Sequence, residues 1–239
     1  MNKPDPIHDI AERFRGRFLT PPEQVREKLF RIKAYIFDWD GVFNSGFKDE
    51  DGSSPFSEVD SMGTNMLRLN HYLRTGSLPV TAILSGERNK AAFTLARRER
   101  FHAAYYSIRN KTTALSHICD TWRIRPEEVA FVFDDILDLS IADQCGLRVM
   151  VQRPCNPLLI DFAEKRQLAD YITGLDGAHH AVRETAEMLC GISGKYDETI
   201  SHRIAFSKTY RQYLSLRDGT ETSFFCRDES ENIIQKEPS

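Results

Sequence analysis

The chain reads as an α/β protein: a three-layer α/β/α sandwich around a mainly parallel sheet, with no large cap domain. Three observations predict this. Short apolar segments recur, as AYIFD, PVTAILSG, AAYYS, VAFVFDD and LRVMV. Segments with helical spacing separate them, so successive strands pair in parallel and helices cover both faces. Polar groups fall at the carboxyl ends of the strands, where open parallel sheets bind ligands.

Taken in order, residues 1 to about 20 are polar, with a short helical pattern through Ile10, Phe14 and Phe18 ended by Pro21-Pro22. EQVREKLFRI is a short helix feeding the strand AYIFD. Thr64 to Arg74 carries Met66, Leu67, Leu69 and Leu73 at helical spacing. PVTAILSG is a strand and turn, residues 88–100 a charged amphipathic helix, and AAYYS a short strand. Thr112 to Trp122 is a helix with Leu115, Ile118 and Cys119 on its apolar face. VAFVFDD is the next strand, Leu139 to Cys145 a short helix and LRVMV a further strand. A helix over AVRETAEMLCGI closes the core. The expected division is an N-terminal extension over 1–30, a core over 31–192 and a C-terminal extension over 193–239. Its aromatics (Tyr196, Phe206, Tyr210, Tyr213, Phe224, Phe225) mark that last segment as partly ordered, packed on the core or on a partner subunit. The final dozen residues, DESENIIQKEPS, are expected to fray.

At 239 residues, 41% hydrophobic and 28% charged, the composition is that of an ordinary globular protein. A net charge of -3, with basic residues in scattered pairs such as Arg97-Arg98, argues against a nucleic-acid partner. Five widely spaced cysteines without a CxxC pair read as reduced thiols, neither a disulfide frame nor a zinc site. The N-terminus lacks the apolar core of a signal peptide, and no window approaches the roughly 20 apolar residues that span a bilayer. A soluble, cytoplasmic protein without a membrane partner is expected.

The chemistry starts in AYIFDWDGVFNSG. Asp38 and Asp40 stand one residue apart at a strand end, so alternation sends both carboxylates to one side and Trp39 to the other. Their repulsion requires a shared proton, a cation or a lysine. Ser85-Gly86, Lys111, Asp134-Asp135 and Asp138 follow the other strands. Singly, these are a plain turn, a solvated helix residue and a helix cap. Together, each directly after an apolar strand, they converge on one rim. Carboxylate oxygens without neighbouring His or Cys suit Mg²⁺. A hydroxyl, a lysine and turn amides suit the oxygens of a phosphate. An Asp nucleophile beside a second acid fits phosphoryl transfer through an aspartyl-phosphate.

On DWDGVFNSG, Ser85, Lys111 and FDDILD, the chain resembles the haloacid dehalogenase superfamily of phosphohydrolases, whose fold is Rossmann-like. ILSGER, FSEVDSMG, RNKTTAL and DGAHHAVRETAEMLC extend the resemblance to the capless subgroup that contains 3-deoxy-D-manno-octulosonate 8-phosphate phosphatase. It covers about residues 32–190. The resemblance implies that Asp38 is the nucleophile and that Asp40 is the general acid and then the base. It implies Mg²⁺ on Asp38, the Asp40 carbonyl and Asp134, supported by Asp135 and Asp138. It further implies phosphate binding by Ser85, Gly86 and Lys111, and substrate contacts from Asp60, Arg88 and Arg183. In that subgroup the Arg183 position helps close a neighbour's site in a tetramer. The chain departs from the family pattern at Trp39, Pro55, Ser61, Phe133 and the loop GLDGAHH, and the phenyl ring of Phe133 is expected to crowd the loop beside the metal.

The expected activity is a Mg²⁺-dependent phosphomonoesterase acting on a small phosphorylated metabolite, with a keto-sugar acid phosphate among the candidates. A catalytically weakened relative kept for assembly or regulation is the competing reading. A phosphoacceptor signalling domain fits poorly, because its lysine would follow the hydroxyl strand at the end of the domain. Only about 35 residues separate the FNSG turn from the Ser85 strand, too few for a lid domain. An open site needs cover to exclude water, and a neighbouring subunit is the expected source.

Overall fold

In the computed structural model, which describes residues 7–238, the apolar segments form one sheet and the amphipathic segments pack on its two faces. The chain runs α1 (Ile7–Ala11), β1 (Arg17–Phe18), α2 (Pro22–Arg31), β2 (Ala34–Phe37), α3 (Glu58–Thr75), β3 (Val80–Leu84) and α4 (Lys90–Arg98). It continues through β4 (Ala103–Tyr105), α5 (Lys111–Trp122), β5 (Val129–Phe133), α6 (Leu139–Ala142), β6 (Leu147–Met150), α7 (Pro157–Lys165) and β7 (Tyr171–Ile172). Last come α8 (Ala181–Ile192), α9 (Tyr196–Ile204), α10 (Lys208–Asp218), β8 (Ser223–Arg227) and β9 (Ile233–Gln235). The strand order is β1-β7-β6-β5-β2-β3-β4-β8-β9. Only the end pairs, β1 with β7 and β8 with β9, are antiparallel. The expected α/β class with a mainly parallel sheet is what the chain adopts.

β2 lies between β5 and β3, with Phe37 in register with both Val132 and Ile83. Its side chains alternate between two cores. Tyr35 and Phe37 join Val25, Leu29, Leu67 and Leu189, whereas Ala34 and Ile36 join Leu115, Ile118 and Ile141. A strand buried on both faces has no solvent face to mark with polar residues, which is why AYIF is apolar throughout.

Several local expectations are corrected. The N-terminal helix stops at Ala11, and Phe18 lies instead in β1, its ring 4.7 Å from that of Tyr171 on β7. The helix expected over 88–100 starts at Lys90, because the Asn89 side chain accepts from the Ala91 and Ala92 amides and caps it. The helix expected from Leu139 to Cys145 ends at Ala142. Within the last dozen residues, Ile233–Gln235 form β9. Of the C-terminal aromatics, Tyr210 and Tyr213 pack with Leu69 of α3 and Phe225 on β8 stacks at 4.9 Å on Tyr105 of β4, whereas Phe206 is exposed. Residues 1–6 of the expected N-terminal extension and Ser239 lie outside the described residues. Among the described residues, all five cysteines are free thiols, and no helix is long and apolar enough to cross a membrane.

Asp170, fully buried before β7, ties the N-terminal segment to the sheet. It accepts from Lys28 Nζ at 2.5 Å, Thr20 Oγ1 at 2.7 Å and the Arg148 amide at 2.9 Å, with the Arg148 guanidinium adding 3.1 and 3.2 Å contacts. Burial opposes its ionisation, but the Arg148 and Lys28 hydrogen bonds outweigh burial and hold the carboxyl below its ordinary value. Removing one partner of such a buried group costs about 3–5 kcal/mol. Asp170→Ala is therefore expected to lower unfolding free energy by about that much in urea denaturation. The sign with pH follows from a depressed native value. The contribution is complete above the unfolded value of about pH 4 and is lost as pH falls through the lower native one. Asp170→Asn removes that acid dependence.

Candidate active site

Three parallel strands end side by side and set the site. β2 delivers Asp38, whose amide extends the pairing by donating to the Val132 carbonyl at 2.9 Å. β3 delivers Ser85 and β5 delivers Asp134, both at the same level of the sheet. Lys111 opens α5, whose cap is Asn110. Asp138 sits one short turn beyond β5, in the 3-10 turn Ile136–Asp138.

One oxygen from each of Asp38, Asp134 and Asp138 lies within 4.8 Å of the others, and all three residues are buried. Lys111 is 4% exposed, with Nζ 2.6 Å from Asp38 Oδ1 and bonded also to Asp138 Oδ1. Burial alone would discharge this lysine, but the two carboxylates raise its pKa above the ordinary lysine value. Asp134 is pushed up to about 8, first by burial and then by the charges of Asp38 and Asp138, with Arg153 opposing. Asp138 is pushed up to about 7 by burial and then by Asp38, with Lys111 opposing. Three carboxylates thus share two cations in a dry place. Asp134 Oδ1 is buried with no hydrogen-bond partner. A buried orphan oxygen in a cluster of hard donors suits a divalent cation, which would supply the missing positive charge.

The other expected residues fall as follows. The Asp40 side chain lies outside the three-acid cluster, paired with Lys48 Nζ at 2.8 Å and bonded to the Ser54 hydroxyl; the donor expected from it was its main-chain carbonyl. Asp138, expected in support, stands within the cluster itself. Asp135 faces solvent and caps the turn, its Oδ1 accepting from the Ile136 amide at 2.7 Å. The buried Ser85 hydroxyl accepts from the Glu87 amide at 3.2 Å. A side chain at Gly86 would approach only the Ile108 carbonyl, at 3.8 Å, so packing leaves that turn open. Arg88 is exposed, close enough to Tyr106 for its charge to act on the phenol.

Asp60 and Arg183 make no bond to the cluster among the described residues. Buried Asp60 instead joins α3 to α8: Oδ1 accepts from the Arg183 amide at 2.9 Å and Oδ2 from Ser57 Oγ at 2.9 Å, with His180 Nδ1 3.3 Å away. The Arg183 guanidinium is paired with Glu187.

The crowding expected of Phe133 does not occur. Its ring points into the core and stacks at 5.3 Å on Phe131. Trp39 is likewise fully buried, stacked at 4.9 Å on Phe43 with its indole N–H donating to the Ser54 carbonyl at 3.3 Å. Trp39 belongs to the core on the Tyr35–Phe37 face and Phe133 to the one on the Ile36 face, so each ring is taken up by packing.

Sequence reasoning missed Arg153, which binds Asp134 Oδ2 at 2.5 Å. The signal existed: Arg153 follows the carboxyl end of β6 as the other site residues follow theirs. Gly177, in the GLDGAHH loop, was also missed; a Cβ there would sit 2.3 Å from the Gly41 carbonyl, so that loop packs directly on the DWDG turn.

A parallel α/β sheet with an acid cluster at the ends of its central strands, a buried lysine and no cap defines a protein of the haloacid dehalogenase superfamily. No family model matches the chain. It is 31% identical over 178 residues to the 3-deoxy-D-manno-octulosonate 8-phosphate phosphatase of Escherichia coli strain B, covering 73% of this chain and 87% of the relative. A solved Legionella pneumophila protein, described as a subfamily III A hydrolase of that superfamily, superposes with TM-score 0.64 at 26% identity, over 77% of this chain and 95% of the other. The Yersinia pestis 3-deoxy-D-manno-octulosonate 8-phosphate phosphatase superposes with TM-score 0.61 at 26% identity, over 73% and 89%. The chain belongs to the 3-deoxy-D-manno-octulosonate 8-phosphate phosphatase family.

Gly41 is the backbone constraint of this site. Its φ is +86°, and a Cβ would lie 2.0 Å from Asp134 Oδ2. Gly41→Ala is expected to cost at least about 1–3 kcal/mol from backbone strain alone, read as a lowered denaturation midpoint.

Proposed function

We propose that the protein is a Mg²⁺-dependent phosphomonoesterase that hydrolyses a small phosphorylated metabolite, with a keto-sugar acid phosphate the candidate its family suggests. Relatives in the family are phosphatases of a sugar phosphate. The observation that carries the reading is the buried Asp38–Asp134–Asp138 cluster with Lys111 inside it and Asp134 Oδ1 left without a partner.

Asp38, Asp134 and the Asp40 carbonyl would hold Mg²⁺, with Asp138 beside them. When bound, the ion offsets the charge that repels an incoming phosphate from three acids. Lys111 holds Asp38 by Oδ1, leaving Oδ2 to attack phosphorus. The P–O bond to the sugar breaks, the leaving oxygen takes its proton from Asp40, and phospho-Asp38 forms. Asp40 then takes a proton from water, the water oxygen attacks phosphorus, and inorganic phosphate leaves with Asp38 restored. Ser54 and Lys48 orient Asp40, whose side chain is 26% exposed. Ser85, the Gly86 turn and Lys111 receive the phosphate oxygens, and Arg88, Asp60 and Arg183 remain the proposed substrate side.

The intact cluster and the inward-facing Trp39 and Phe133 support catalysis over an assembly-only role. Phosphate release from p-nitrophenyl phosphate or a metabolite panel is expected to require Mg²⁺, to stop with chelator and to resume on adding Mg²⁺ back. Asp38→Asn is expected to bring turnover to background with an unchanged circular dichroism spectrum; retained turnover sinks the mechanism.

The reading includes a homo-oligomer, a tetramer by preference, in which a neighbour covers the open rim. Phe47, Ile136 and Leu137, exposed at 77%, 66% and 65%, stand on the two loops that leave the catalytic strands. Light scattering is expected to give an oligomer mass, and a monomer would count against this cover.

A further inference from the structure

We infer that Arg153 is a positioning residue for the carboxylate of Asp134, an inference that rests on the Mg²⁺ reading above. Its guanidinium spans two elements. Nη1 binds Asp134 Oδ2 at 2.5 Å, and Nη2 donates to the Ser45 carbonyl at 3.3 Å, tying the end of β5 to the loop after β2. Two glycines make the slot it occupies. A Cβ on Gly41 would come within 2.8 Å of Nη1, and one on Gly46 within 3.3 Å of Nη2. Both have positive φ, so the loop bends where no side chain blocks the arginine.

The two oxygens of Asp134 are treated unequally, and that inequality carries the inference. Oδ2 is clamped by Arg153, while Oδ1 is buried and without a partner. Interior carboxylates seldom leave an acceptor empty. Clamping one oxygen fixes the carboxylate plane, so the other is held for a ligand and does not rotate away. Lys111 does not perform this task, because its bonds go to Asp38 and Asp138.

Groups that hold a metal ligand by its far side commonly change metal affinity 10–100-fold when removed. A counter-ion that merely filled an empty site would compete with Mg²⁺, and its loss would tighten binding. Arg153 holds a different oxygen from the open one, which is the geometry of support.

Isothermal titration calorimetry with Mg²⁺ on the unmodified protein, Arg153→Gln and Arg153→Lys tests this. Arg153→Gln is expected to weaken Mg²⁺ binding about 10–100-fold. Arg153→Lys keeps the charge but not the two-pronged reach, so a smaller loss is expected. An arginine with a purely structural role would lower the melting temperature and leave the Mg²⁺ dissociation constant alone. Unchanged or tighter Mg²⁺ binding by Arg153→Gln, in a protein whose unmodified form binds Mg²⁺, overturns the proposal and leaves the metal reading standing. Failure of the unmodified protein to bind Mg²⁺ overturns both. If Arg153→Gln does not fold, Arg153→Lys decides by the same criterion.

Discussion

The buried ammonium of Lys111 is the constraint on which the site depends. A lysine at the first position of a helix works against the helix dipole, which favours anions there. Burial adds a second penalty. Asp38 and Asp138 offset both, one from the end of β2 and the other from the turn after β5. Those acids reach the same nitrogen only because Phe37 is in register with Val132 and because the turn after β5 is one short 3-10 step. The lysine therefore measures whether strand register, turn length and helix start agree. A slip of one residue in β2 would send Asp38 to the other face and leave a charge stranded in the interior.

Much of this was legible because strand ends concentrate function. AYIF and VAFVF carry only aliphatic and aromatic side chains and VTAIL a single threonine, so the first charged or hydroxyl residue after each marks the rim, as Asp38, Ser85 and Asp134 do. The bulk of Trp39 and Phe133 was harder to judge, since residue size says nothing of direction until the strand's two faces are known. Asp60 accepts from the Arg183 amide and from Ser57, links between α3 and α8 that its own segment does not announce. A local motif does not reveal which distant backbone will take up its carboxylate. β7 is two residues long and β1 likewise, too short to leave a periodic pattern. Arg153 escaped because only acids, hydroxyls and a lysine were gathered along the rim, although its place after β6 obeyed the same rule.

Contacts between separate loops give the site its shape. The DWDG turn is wedged between Asp134 on one side and Gly177 on the other, at distances that exclude any side chain on either glycine. Gly177 lies in the loop before α8, and Asp60 binds the first turn of that helix. The DWDG turn, the GLDGAHH loop and the start of α3 are thus linked by packing and hydrogen bonds, with no separate domain required to join them.

β8 lies beside β4, although more than a hundred residues separate them along the chain. During synthesis the outer edge of β4 stays unpaired until nearly the whole protein has emerged, while the clustered acids Asp38, Asp134 and Asp138 are already present. Edge strands with free amides and carbonyls recruit other chains. The closing pair β8–β9 moves that edge outward to a strand of three residues, followed by Lys236 and Pro238. A truncation after α10 would leave the rim's residues in place and reopen the fully apolar β4 as an adhesive edge next to β3. The tail's service to the enzyme is therefore in its solubility and its order of assembly.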